Sequence, residues 1–270
     1  MSRPVGAALG RSGAVAVLVV AAAAFALPLV ALLLFTFRVS GDPGALTLVH
    51  YAAIVDPAQE FAYDGLFRGL SNSLGICVVT VAIVLLVLVP TVLLVEMRYP
   101  AMRRVVEFVC LLPLTVPTVV LVVGFVPVYK VVSGAFGSAA WTLAFAIGVI
   151  VLPYAYRPIQ ANIAALDVVV LGEAARSLGA GAVPTVFRVI LPNLRRGILS
   201  ACLLTVAVVL GEFTIASFLS RTTFQTALFL LQQSDPYVAA IFSLAALVFV
   251  FVLLLVIGRL GSFRPSRRTS

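Results

Sequence analysis

The chain has 270 residues, 63% of them hydrophobic and only 10% charged, with a formal charge of +8 and a mean hydropathy of +1.20. A soluble domain carries about 45–50% apolar residues, so a water-solvated globule is excluded and lipid is the expected solvent for most of the chain. The positive charge does not indicate nucleic acid, because the basic residues are spread loop by loop and form no single patch interleaved with aromatic residues.

A bilayer core of about 30 Å needs roughly 20 mainly apolar residues per helix. By that measure residues 13–258 form one transmembrane domain with six spans: Gly13–Phe37, Leu74–Val95, Val105–Val132, Ser138–Tyr156, Ile198–Leu219 and Val238–Gly258. The expected fold class is therefore an all-α polytopic membrane protein, since these runs are apolar on all sides and lack the alternation of a barrel strand. Polar tails are expected over 1–12 and 259–270.

The first span begins after Arg3 and Arg11 and is too long for the h-region of a cleaved signal peptide, so a retained helix is expected. A loop, Arg38–Ser73, follows, carrying Asp42, Asp56, Glu60 and Asp64, and the single histidine, His50, is expected on its surface. The loop ends in "LSNSLG", where Ser71 or Asn72 can cap the second helix. Arg98, Arg103 and Arg104 then fill the short loop before span three, and Glu107 is expected to pair with Arg103 or Arg104. Arg157, Arg176, Arg188, Arg195 and Arg196 fill the loop after span four, and Arg259, Arg264, Arg267 and Arg268 end the chain. By the positive-inside rule both termini are cytoplasmic.

Span three contains Pro113, Pro117 and Pro127, each of which deletes a backbone donor, so a kinked or interrupted helix is expected. Such a break can line a solute path, although prolines are also common in membrane helices generally. Span five carries Glu212 beside Gly211, with Thr214 and Ser217 following at helical spacing. That stripe can line a route for a polar or cationic solute or supply hydrogen bonds between subunits. Cys77, Cys110 and Cys202 all lie within spans, so neither a disulfide nor a metal site is expected. No Gly-rich turn precedes Lys130, the only lysine, and no catalytic triad or zinc-peptidase pattern is present, so ATP hydrolysis and membrane-embedded hydrolase chemistry are not expected of this chain.

The stretch Leu171–Asn193, "LGEAARSLGAGAVPTVFRVILPN", mixes charges with small residues between two spans and is not suited to lipid; the loop that holds it runs from Asp167 to Asn193. Asp167 suits an N-cap, and Val168, Leu171, Ala175 and Leu178 recur at three- to four-residue steps. Gly179 suits a left-handed C-terminal cap. A second short helix is expected over about Val183–Ile190, ending at Pro192.

This stretch resembles the EAA loop of the permease subunits of type I ABC importers, in which EAA is followed after fixed gaps by Gly, then Ile, then Leu-Pro. Glu173, Ala174, Ala175, Gly179, Leu191 and Pro192 match in register, and Val189 stands at the isoleucine position. "LSNSLG" and the proline-rich third span are also similar to that family's core. The resemblance implies the type I permease fold, with coupling helices in loop 167–193 seated in a groove of a separate ATP-hydrolysing subunit. It implies two such ATPase subunits that bind ATP and magnesium, a second identical or homologous permease, an extracytoplasmic substrate-binding protein and a location in the bacterial cytoplasmic membrane; no cofactor is expected in this chain. The last two spans resemble permeases grouped with spermidine/putrescine importers, with relatives for iron, thiamine, phosphonates and opines. An acid at Glu212 would suit a polyamine. A gradient-driven transporter or a purely structural membrane subunit are the alternative readings.

Overall fold

In lipid every backbone amide must find its partner inside the chain, and runs this apolar do so as helices. The computed structural model describes residues 11–39, 42–56 and 60–262, so 1–10 and 263–270 of the expected tails lie outside the described residues, while 11–12 and 259–262 belong to the first and last helices. Six helices among the described residues are long and apolar enough to cross a membrane.

Helix α1 (Arg11–Phe35) rests on the last helix and buries none of its apolar window. A short antiparallel ribbon, β1 (Arg38–Val39) and β2 (Asp42–Leu46), and helix α2 (Val49–Val55) follow. His50 is not simply a surface residue. Its ring stacks on Tyr237 (4.3 Å between centroids), which in turn stacks on Phe35 (4.8 Å), and its Nε2 lies 3.0 Å from the Arg38 carbonyl. The buried Thr36 hydroxyl shares a 2.7 Å hydrogen bond with Tyr51. This aromatic stack ties the end of α1 to the start of the last helix.

Helix α3 (Glu60–Ile83) begins fourteen residues before the expected span, so Ser71 and Asn72 lie within the helix and do not cap it. The segment before Leu74 already has helical apolar spacing and an Asp64–Arg68 ion pair one turn apart at 2.8 Å. A π turn, Val84–Leu88, joins α3 to α4 (Val89–Arg98). Span three is interrupted as its prolines require: α5 (Arg103–Leu111) passes into a 3₁₀ turn at Leu112–Leu114, and α6 (Thr118–Phe136) restarts after Pro117, whose ψ of 135° is non-helical. Pro127 sits inside α6 without breaking it.

Helix α7 (Leu143–Leu166) extends ten residues past the expected span end, and α8 (Val168–Ser177) follows. The expected second short helix is not separate. α9 (Ala182–Pro184), a π turn at Thr185–Ile190 and α10 (Leu191–Gly211) form one continuous rod through Pro192. Both π turns end two residues before a proline, Pro90 or Pro192. A proline ring clashes with the carbonyl four residues back, and the wider i→i+5 pitch accommodates it without ending the helix.

Span five likewise differs from a continuous helix. It stops at Gly211, Glu212 is extended (φ −79°, ψ 114°), and a five-residue helix α11 (Thr214–Phe218) follows. The chain then makes α12 (Phe224–Ser234), a helix not expected from the sequence, before α13 (Pro236–Ser262).

The core is built on α7 against α10. Ile147, Val151, Ala155, Ile159 and Ile163 recur every four residues along α7 and are all buried. A Cβ on Gly197 of α10 would lie 2.6 Å from the Asn162 Cβ and 2.8 Å from the Pro158 carbonyl oxygen, so only glycine allows this approach. A second apolar cluster, including Tyr63, Leu66, Phe224, Ala227 and Leu231, joins the beginning of α3 to α12 and α13.

Candidate functional site

At the basic end of the bundle, helix α8 is fixed at both termini by its own sequence. Asp167 adopts a left-handed conformation (φ 45°) and its carboxylate accepts the Val170 N–H at 3.3 Å. At the other end Ala180 N–H donates to the Ala175 carbonyl (3.0 Å) and Gly179 N–H to the Arg176 carbonyl (2.9 Å). With Gly179 at φ 84°, this is a complete Schellman closure. A ten-residue helix is marginal alone, and these caps satisfy amides and carbonyls that would otherwise need water. A Cβ on Gly172 would lie 3.2 Å from the Met97 Cε of α4, so α8 sits close on that helix.

Val168 and Ala175 face the bundle and are buried, whereas Glu173 and Ala174 are exposed. Leu178 departs from the expected apolar stripe: it is the C-cap residue, outside helical geometry (φ −86°, ψ 9°), and it is 89% exposed. Val170, Val183 and Phe187 are exposed with it, the last two on the far side of the Gly179 turn. Val189 and Leu191 are half-buried and Pro192 is exposed. Sequence reasoning missed Leu178, Val183 and Phe187 as an outward-facing apolar group; their signal was large apolar side chains in a loop otherwise rich in charge.

Beside this loop, Arg103 at the start of α5 pairs with Glu96 of α4 at 3.3 Å, and not with Glu107 as expected. The Gln160 amide of α7 lies against both; with its oxygen turned to Arg103 it accepts from Nε and Nη2 at 3.2 and 3.0 Å. The reason is geometric. Arg103 stands in the first turn of α5, facing the end of α4 just before it, while Glu107 is exposed one turn further along α5.

Of the residues expected along a solute path, Pro113 lies in the 3₁₀ turn and Pro117 directly precedes α6. Glu212, Thr214 and Ser217 do not form a stripe on one helix, because the helix breaks between Gly211 and Thr214. The Glu212 carboxylate accepts the Ile215 N–H at 2.7 Å and so caps α11, while Gln225 donates to the Leu210 carbonyl at 3.0 Å and satisfies the end of α10. Thr214 is half-buried and Ser217 exposed. α11 packs on α6 and α7, so the break in span five adjoins the helix that Pro117 opens.

The turn after α11 is fastened to α3 by polar side chains whose role the sequence did not show. Asn72 Nδ2 donates to the Thr222 carbonyl (2.8 Å), and the buried Ser73 hydroxyl accepts the Phe224 N–H (2.9 Å). Their signal was "LSNSLG" itself, whose polar side chains act across the bundle and not as caps. No group of three or more His, Cys, Asp or Glu side chains among the described residues could hold a metal ion.

The family model described as "Binding-protein-dependent transport system inner membrane component" matches residues 92–262, from α4 to the end of α13. No curated protein matches the chain.

Proposed function

We propose a mechanical role for this chain, which belongs to the family of binding-protein-dependent transport system inner membrane components and is thus a non-catalytic, multi-pass permease subunit of an ABC importer. The family implies an ATPase and a substrate-binding protein as partners. In our reading the basic end faces the cytoplasm, with both termini there, and two ATPase subunits carry the ATP and magnesium. The exposed face of α8 and the following turn, with Glu173, Ala174 and Leu178, seats one of them. Ala175, Gly179, Val189, Leu191 and Pro192 hold that face in place from behind.

One observation carries this reading: a short helix closed at both ends by its own caps leaves Leu178, Val183 and Phe187 open to solvent. Apolar side chains on a rigid, small-residue surface are the features of a protein contact. Leu178→Asp and Val183→Asp should abolish co-purification of the ATPase subunit while the permease inserts and unfolds at its usual temperature. An intact complex with both substitutions would overturn the assignment.

A second permease, identical or homologous, completes the translocation path in this reading, and the α6–α11 region with Pro113, Pro117, Glu212, Thr214 and Ser217 contributes to it. A polyamine such as spermidine or putrescine is the first solute to test, supported by the acids Asp56, Glu60 and Asp64 between the first two expected spans; iron, thiamine, phosphonate and opine are the others. Ligand-induced thermal stabilisation of the cognate binding protein decides among them. No stabilisation by spermidine or putrescine at millimolar concentration would remove the polyamine.

A further inference from the structure

Helix α6 is loosely held for a span at the heart of this family's match. Of its nineteen residues only Val122 and Tyr129 are buried, two turns apart on one face. Its connection to α5 is the non-helical Thr115–Pro117 segment, so no continuous helix stiffens that end. Beyond packing on α11 and the contact of Phe136, at its far end, with Trp141 and Phe145, its polar attachment is the Tyr129 hydroxyl. It lies 2.9 Å from the Thr142 hydroxyl and accepts from Arg221 Nε at 3.1 Å, while the guanidinium sits 5.7 Å from the centre of its ring.

The direction of these bonds is fixed by their neighbours. Thr142 donates its only proton to the Ala139 carbonyl at 2.7 Å, so it must accept from Tyr129, and Tyr129 must accept from Arg221. Every hydroxyl in the series is used once as donor and once as acceptor, and such a chain is strengthened by its own polarisation.

Arg221 is anchored differently. Its N–H donates to the Ala216 carbonyl at 2.8 Å and its carbonyl accepts from Thr226 at 3.2 Å. The adjoining turn is fastened to α3 through Asn72 and Ser73, and at Gly69 a Cβ would come within 2.6 Å of the Thr223 carbonyl oxygen. One side of this turn is therefore close-packed backbone, and the other is a single long side chain reaching to α6.

We infer that Tyr129, with Thr142 and Arg221, is a latch that positions α6, and that release of the latch lets α6 pivot about Thr115–Pro117 during transport. The three are positioning residues: α6 borders α11 at the break in span five, so its displacement alters the space beside that break. The role in transport rests on the importer reading above; the latch itself does not.

Two measurements separate these. In lipid nanodiscs, spin labels at Lys130→Cys on α6 and Gln232→Cys on α12, with Cys77, Cys110 and Cys202 replaced by alanine, report the distance between the helix and the fixed turn. Tyr129→Phe and Arg221→Gln should each add a longer-distance population about fivefold larger than in the parent, the shift expected for one hydrogen bond of ordinary net strength. In the complex with its ATPase, the same substitutions should raise ATP hydrolysis without binding protein about fivefold. Distances unchanged in both variants overturn the latch. Shifted distances with unchanged hydrolysis overturn its part in transport. Absence of any co-purifying ATPase tells against the importer reading and leaves the distance measurement to decide the latch.

Discussion

Two short helices of nearly equal length close opposite ends of the bundle, and they are anchored differently. α8 has ten residues and α12 eleven, and each begins with a side-chain cap, Asp167 in one and Thr223 in the other. α12 buries Phe224, Ala227 and Leu231 against α3 and α13, with backbone touching backbone at Gly69. α8 buries Val168, Gly172 and Ala175 but leaves Val170 exposed, and the turn that closes it leaves Leu178, Val183 and Phe187 exposed as well. A helix this short is held by packing more than by propensity. α12 also leaves Phe229 and Leu230 exposed, so the difference lies in how each helix is anchored: α12 by a close backbone contact and its buried side chains, α8 largely by its caps. The contrast is between an element fixed to the bundle by close backbone packing and one whose own caps fix it; in the proposed function the latter meets the ATPase subunit.

The largest break in that contrast should come from Gly69→Val. The added carbons have no room against Thr223, and overpacking of this kind costs about 3 kcal/mol; a lowered unfolding temperature in detergent and loss of protection of the α12 amides check it. Phe187→Asp is the opposite case. Stability should stay within about 0.5 kcal/mol, while affinity for the ATPase subunit falls roughly thirtyfold, the loss of a contact worth about 2 kcal/mol, read by titration of the purified subunits. Ser73→Ala removes the acceptor of the buried Phe224 N–H and should destabilise by about 1.5 kcal/mol, again in thermal unfolding. Gly179→Ala is the smallest. Nothing lies within 4 Å of the new methyl, so only the positive φ opposes it, at about 1 kcal/mol. The change should appear as faster amide exchange at Gly179 and Ala180 and lower uptake, with insertion unaffected.

The sequence was most legible where a single residue dictates backbone geometry. Asp167 and Gly179 take the capping conformations their types favour, and Pro113 and Pro117 interrupt span three. The apolar runs were legible because lipid leaves few alternatives to a helix. The break at Glu212 was not, because Glu and Phe are acceptable within a helix. It depends on Glu212 capping α11 and on Gln225 reaching the Leu210 carbonyl, contacts that exist only after folding. α12 was hidden for a related reason: its eleven residues are too few to register as a span, and its Thr223–Thr226 capping box uses a threonine where the usual pattern has Glu or Gln. Asn72 was misread as a cap and Ser73 was passed over because their partners lie about 150 residues away in the chain.

The unbroken helix from Ala182 to Gly211 is 30 residues long, or roughly 45 Å at about 1.5 Å per residue. Gly197, a point of close approach to α7, falls almost at its midpoint and divides the rod into two arms of similar length, which a tilt there would move like the arms of a beam. A tilt of about 5° about that contact displaces Val183 by roughly 2 Å and the Gly211–Glu212 junction by the same amount in the opposite sense. The absence of a side chain at Gly197 thus brings the pivot of the beam into direct contact with the neighbouring helix, where sliding would require Asn162 and Pro158 to move first.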